Sequence, residues 1–128
     1  MASKVLVMDD SKLIRRMVSL ALPSSAFEII QAADGMEGLE RLDQHPDLGL
    51  IISDLNMPRL GGLDFLEELR RRPAFASLPV VMLTPESQAP LMARAKAFGA
   101  NGWLTKPFKP ELLLATVVRL LSTTKSAA

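Results

Sequence analysis

Five side chains with ligand or phosphoryl chemistry stand at the ends of apolar runs. Asp9 and Asp10 follow Val5-Leu6-Val7-Met8, Asp54 follows Leu50-Ile51-Ile52-Ser53, Thr84 follows Val80-Val81-Met82-Leu83, and Lys106 follows Trp103-Leu104-Thr105. Each run reads as a buried strand. In an open α/β sheet, ligands bind outside the carboxyl ends of the strands. Three carboxylates, a hydroxyl and an ammonium are therefore expected to meet in one place. Crowded carboxylates repel, and a hard divalent cation relieves the repulsion. Mg²⁺ suits the set best because it takes few protein oxygens and keeps several waters; Mn²⁺ is the alternative. A carboxylate is also a nucleophile for phosphoryl transfer, and a lysine can neutralise phosphoryl oxygens as a flexible point charge.

The elements that must position these groups alternate. Strands are expected at 4–8, 28–32, 48–53, 79–83 and 102–105, with helical spacing between them. Leu13, Met17 and Leu20 share one face of the first helix, and Met36, Leu39 and Leu42 one face of the second. Phe65, Leu66 and Leu69 mark the third, Leu91, Ala95 and Phe98 the fourth, and Leu113, Val117, Leu120 and Leu121 the fifth. Ser11 is placed to cap the first helix and Pro23 to stop it; Asp34-Gly35 and Pro46 bracket the second, and Pro73 follows the third. Gly99 suits a left-handed cap after the fourth. Pro90 is expected to start that helix, and Pro110 the fifth. Alternating βα units imply a parallel sheet with helices on both faces and right-handed crossovers.

At 128 residues the chain is expected to form a single domain, 1–128, with a core at about 4–121 and a frayed tail at 122–128. A net charge of +1 provides no strong field toward nucleic acid or an anionic membrane. The absence of cysteine excludes disulfides and thiolate metal sites. No apolar run is long enough to span a bilayer, and Met1-Ala2-Ser3-Lys4 leads straight into a strand without a visible signal peptide. The expected location is the cytoplasm. No internal repeat or low-complexity segment stands out.

Taken together, Val7-Met8-Asp9-Asp10-Ser11, Ile51-Ile52-Ser53-Asp54-Leu55-Asn56-Met57-Pro58, Gly61-Gly62, Leu83-Thr84 and the run from Gly99 through Trp103 and Lys106-Pro107 to Phe108 resemble the receiver domain of two-component response regulators, in particular the single-domain chemotaxis CheY type. The resemblance covers nearly the whole chain. It implies a (βα)₅ doubly wound five-stranded parallel sheet in the flavodoxin/CheY-like order 2-1-3-4-5. That order agrees with the more polar second strand, Phe27-Glu28-Ile29-Ile30-Gln31-Ala32, lying at an edge.

By the same resemblance Asp54 accepts the phosphoryl group from a sensor histidine kinase. Asp10 and Asp54 bind the metal directly, Asp9 more often through water, and Asn56 through its backbone carbonyl. Lys106 neutralises the phosphoryl oxygens and precedes a bond to Pro107 that is often cis. Thr84 is the switch hydroxyl and Trp103 the switch aromatic, while Asn56 and Glu86 tune hydrolysis from the rim. A downstream protein reads the face at about 89–121. Taken singly, each residue has a plainer use. Asp54 can cap a turn, Asp9 and Asp10 can face the positive end of the first helix, Lys106 can be solvated, Thr84 can be an ordinary strand residue or helix cap, and Trp103 a packed strand residue.

Pro85 departs from the family, which usually has a small residue after the threonine and uses its backbone N–H on the phosphoryl group. Proline has no N–H, so the anion pocket is expected to be weaker. Asn101-Gly102, in place of a more usual acidic pair, reads as a turn signal. His45 is assigned to the dipole at the end of the second helix. Arg70-Arg71-Arg72 reads as a solvated helix end without the aromatic interleaving of a nucleic-acid surface.

Three other functions compete. A haloacid dehalogenase-type phosphatase needs an acid two residues after its nucleophile, where this chain has Asn56. A nucleotide-binding module needs a G-x-G-x-x-G or a P-loop, and neither occurs. A receiver-like docking module that works without phosphorylation is kept open by Pro85. In the leading reading the chain is no enzyme beyond catalysing its own phosphoryl gain and loss.

Overall fold

The computed structural model describes residues 2–85 and 90–127, the side chains of 123–127 excepted. Its strands are β1 (Ser3–Met8), β2 (Phe27–Ala32), β3 (Leu50–Asp54), β4 (Val80–Pro85) and β5 (Gly102–Lys106). Its helices are α1 (Lys12–Ala21), α2 (Gly35–Gln44), α3 (Gly62–Arg71), α4 (Met92–Ala97) and α5 (Pro110–Ala127). All four strand pairs are parallel, in the order β2-β1-β3-β4-β5. The expected fold class and strand order hold, with the polar second strand at the edge.

Strand alternation divides the core in two. Leu6, Met8, Ile51, Val80 and Met82 face Leu42, Phe65, Leu66, Leu69 and Ala95 of α2, α3 and α4. Val5, Val7, Leu50, Ile52, Val81 and Leu83 face Val18, Leu22, Leu113, Val117 and Leu120 on the other side, around α1 and α5. Runs of consecutive apolar residues are the consequence of burial on both faces. Ser11 caps α1 through Ile14 N–H, and Gly99, at φ 88°, follows α4 in the left-handed region as expected.

Several local expectations are corrected. The face of α1 packed on the core contains Ile14, Met17, Val18 and Ala21, so Met17 lies where expected, whereas Leu13 and Leu20 are 66% and 75% exposed. Both stripes have helical spacing; the sheet's contour selects one. Met36 on α2 is likewise exposed, leaving Leu42 buried and Leu39 against the core. The fourth helix starts at Met92, because Pro90 and Leu91 adopt 3-10 geometry. The expected tail from 122 is helical to Ala127, since neither glycine nor proline interrupts α5 after Pro110.

Arg70 is not a solvated end. It donates to the Phe75 carbonyl at 3.0 Å and the Gly99 carbonyl at 2.8 Å, and burial depresses its pKa. Asn101, assigned only a turn, accepts from Val80 N–H at 2.9 Å and donates its own N–H to the Val80 carbonyl at 2.8 Å. These contacts tie the α4–β5 connection to the start of β4. His45 ends α2 through its backbone N–H, which donates to the Arg41 carbonyl, and its Nδ1 is 3.4 Å from Lys4 Nζ.

Candidate functional site

Asp9 follows β1 immediately and is 1% exposed. Its N–H donates to the Ala32 carbonyl at 3.1 Å, extending the ladder with β2. Its Oδ1 accepts from Ser11 N–H at 2.9 Å, so the turn into α1 aims the carboxylate. Arg15, one turn into α1, donates Nη1 to the Asp9 carbonyl at 2.7 Å and Nε to Gln31 Oε1 at 3.0 Å. Sequence reading missed this brace, because nothing in the local pattern sets Arg15 apart from Arg16. Asp10 is exposed at the mouth.

Asp54 is the last residue of β3 and Thr84 the last but one of β4, so the two strands run one and two residues further than the apolar runs suggest. Asp54 is 5% exposed and Thr84 fully buried. In register, Asp54 is opposite Leu83 and Thr84 opposite Thr105, which brings the ends of β3, β4 and β5 level. Lys106, the last residue of β5, donates Nζ to Asp9 Oδ2 at 2.6 Å and lies 3.3 Å from Asp54 Oδ1. The second approach lacks hydrogen-bond alignment, so Asp54 Oδ1 is buried without a hydrogen-bond partner. Thr84 Oγ1 is buried and unpartnered as well.

Burial pushes the Asp54 carboxyl above its ordinary value and the Asp9 charge adds to the rise; Lys106 and the Asn56 backbone N–H offset it only in part. Burial works to lower the Lys106 ammonium, but Asp9 and Asp54 outweigh it and raise it above its ordinary 10.5.

One ligand atom each from Asp9, Asp10 and Asp54 lies within 4.8 Å of the others, a cluster able to hold a metal ion. All are hard oxygen donors, and two of the residues are nearly buried. Among the described residues, Lys106 is the one ammonium set against these three carboxylates, and the buried Asp54 Oδ1 beside it accepts no hydrogen bond, which leaves the set room for a further cation. The residues therefore fit the expected class of divalent ion. Asn56 is exposed just beyond Asp54.

Pro85 ends β4 opposite Lys106, at the edge of this cluster. Trp103, half-buried in β5 opposite Met82, has its Nε1 buried without a partner. On one side of it is a cleft of about 310 Å³ reaching Phe108 and Leu112. The Lys106–Pro107 bond is cis. Glu86 lies outside the described residues, as does residue 89 at the start of the expected target face. No described helix is long and apolar enough to cross a membrane.

A sequence model of the response regulator receiver domain matches residues 5–118. Chemotaxis protein CheY1 of Helicobacter pylori is 34% identical over 121 residues, covering 94% of this chain and 98% of that protein. Protein PilG of Pseudomonas aeruginosa is 37% identical over 115 residues, covering 89% of this chain and 84% of that one. The crystallised chemotaxis response regulator CheY4 of Vibrio cholerae superposes with a TM-score of 0.86 at 42% identity, over 94% of this chain and 99% of that one.

Proposed function

The chain belongs to the response regulator receiver domain family, of the CheY-like kind, and we propose that it is a signalling switch thrown by phosphorylation of Asp54, most directly in chemotaxis or motility. CheY-type receivers take a phosphoryl group from histidine kinases and act on downstream targets. The observation that carries the reading is the convergence of Asp9, Asp10 and Asp54 with Lys106 and the unpartnered Thr84 hydroxyl at one end of the sheet.

Asp54 attacks the phosphorus of a kinase phosphohistidine in line. The new O–P bond forms as the N–P bond breaks, and the imidazole leaves with the electron pair. Lys106, already held beside Asp9 and Asp54, faces the charge that arrives. Asp9, Asp10, Asp54 and the Asn56 carbonyl would hold Mg²⁺, or Mn²⁺, which when bound supplies charge neutralisation to the transferring group. Thr84, whose hydroxyl has nothing to donate to, moves toward the phosphoryl oxygens. Trp103 then repacks, and the face at about 89–121 changes what it offers a partner protein. Glu86 and Asn56 act on the water that later cleaves the acyl phosphate. The protein is a switch, not an enzyme acting on other substrates, and its place is the cytoplasm; it binds neither nucleic acid nor membrane.

The test is intact mass after incubation with Mg²⁺ and acetyl phosphate, beside an Asp54→Asn control. A single phosphoryl adduct that the control lacks supports the switch. If no donor, including a histidine kinase, gives an adduct, the second reading takes over: a docking module independent of phosphorylation, which the missing N–H of Pro85 favours.

A further inference from the structure

The connection between β3 and α3, residues 55–61, carries the Asn56 backbone past the acceptor carboxylate and then turns sharply. Leu60 N–H donates to the Pro58 carbonyl at 2.7 Å, closing a three-residue turn. Its central residue, Arg59, has φ 64°. That left-handed region is unfavourable for a side chain with a Cβ and persists only when the surroundings hold it. Further on, Gly62 N–H donates back to the Leu55 carbonyl at 2.9 Å, and a Cβ at Gly62 would collide with the Asp54 carbonyl. The shape of the turn is thus transmitted directly to the backbone of the acceptor.

What holds Arg59 comes from the start of α2. Arg59 Nε donates to Asp34 Oδ2 at 2.8 Å, and Nη2 to Asp34 Oδ1 at 3.1 Å. Gly35 N–H donates to the Leu60 carbonyl at 3.0 Å. Asp34 is itself immobilised: it is 5% exposed, and its Oδ1 caps α2 through Glu37 N–H at 2.9 Å. The Arg59 side chain is 57% exposed, so burial does little to keep it in place and the paired, charge-assisted bonds do most.

We propose that Asp34 and Arg59 are positioning residues for the Asp54 site: their fork holds the left-handed turn, and through it the backbone of 55–57, in the shape that serves metal and phosphoryl binding. The proposal rests on the phosphorylation reading above, yet part of its test stands apart from it. Asp34→Asn keeps a good helix cap but loses the anionic fork. Arg59→Gly keeps a residue at ease with positive φ but loses the pair. Arg59→Lys keeps the charge without the fork.

Three quantities are read on the full chain, well below its unfolding transition: amide hydrogen exchange at Leu60 and Gly62 without metal, affinity for Mn²⁺, and the rate of phosphorylation by acetyl phosphate. Both Asp34→Asn and Arg59→Gly are expected to speed exchange. They are also expected to weaken Mn²⁺ binding and slow phosphorylation by about tenfold or more, the range found when groups that orient metal ligands are lost. Arg59→Lys falls between, and the double variant is no worse than either single one. A merely structural pair would lower the unfolding midpoint and leave Mn²⁺ affinity and rate at parental values, which overturns the proposal. Should Asp34→Asn not fold, Arg59→Gly, on the exposed partner, distinguishes the same two outcomes. A parent that binds Mn²⁺ but takes up no phosphoryl group sinks the phosphorylation reading, while the exchange and Mn²⁺ measurements still decide the positioning role.

Discussion

Lys106 Nζ is hydrogen-bonded to Asp9 Oδ2 at 2.6 Å, and both ends of that pair are largely withdrawn from solvent. The ammonium reaches Asp54 only at 3.3 Å and out of alignment. Before phosphorylation, then, the lysine mainly answers Asp9, and the acceptor carboxylate remains crowded and raised in pKa. The site is poised toward a charged ligand at some expense in stability.

Replacing Lys106 by Met should expose that expense. Asp9 and Asp54 would lose their common cation, and breaking a buried ion pair by removing one partner costs about 3 kcal/mol or more. Urea unfolding in metal-free buffer measures it. Phosphorylation by acetyl phosphate should slow by about a hundredfold or more. A parental unfolding midpoint would show the lysine to be merely solvated. Asp54→Asn, which removes one of the crowded charges, is expected to gain about 1 kcal/mol under the same conditions.

Thr84→Val replaces a buried, unpartnered hydroxyl with a methyl of similar shape. An unsatisfied buried polar group costs about 1–3 kcal/mol, so the variant should be at least as stable as the parent, by about 1 kcal/mol. It should also lose the signal. Trp103 is the chain's one tryptophan, and its fluorescence is expected to change on phosphorylation in the parent but not in Thr84→Val. An equal response in both would remove Thr84 from the switch.

Pro85→Ala supplies a backbone N–H beside Thr84. A hydrogen bond to a charged group contributes about 1.5–3 kcal/mol, so the phosphoryl lifetime, followed by intact mass after donor removal, should lengthen by about tenfold or more if that N–H reaches the phosphoryl group. Equal lifetimes in parent and variant would leave Pro85 as the end of β4 with no bearing on the phosphoryl group.

Asp34 contributes to acid stability. The hydrogen-bonding Arg59 side chain lowers its pKa below the ordinary 3.8; burial opposes this, and the Glu37 N–H and Arg59 charge assist. A carboxyl depressed in the folded state stabilises it above the unfolded pKa, and that contribution fades as pH falls from about 3.8 through the lower folded value. Urea midpoints of the parent and Asp34→Asn should differ at pH 6 and converge in acid. A difference that stays constant with pH would mean that the charge of Asp34 is irrelevant to folding.

Alternating apolar runs and turn residues sufficed to read five strands and five helices, their parallel pairing, and the convergence of Asp9, Asp10, Asp54, Thr84 and Lys106. A strand's period and its end are local properties, and parallel packing brings all the carboxyl ends together. The sequence alone could not choose between the two apolar stripes of α1, since Leu13 and Leu20 satisfy helical spacing as well as Ile14 and Val18 do. Only the sheet they meet decides. Nor could it distinguish Arg59, Arg70 and Arg15 from other surface arginines. Their partners, Asp34, the Gly99 carbonyl and Gln31, are 25, 29 and 16 residues away. The hydrogen bonds that give these arginines their roles exist only once distant segments have been folded against one another.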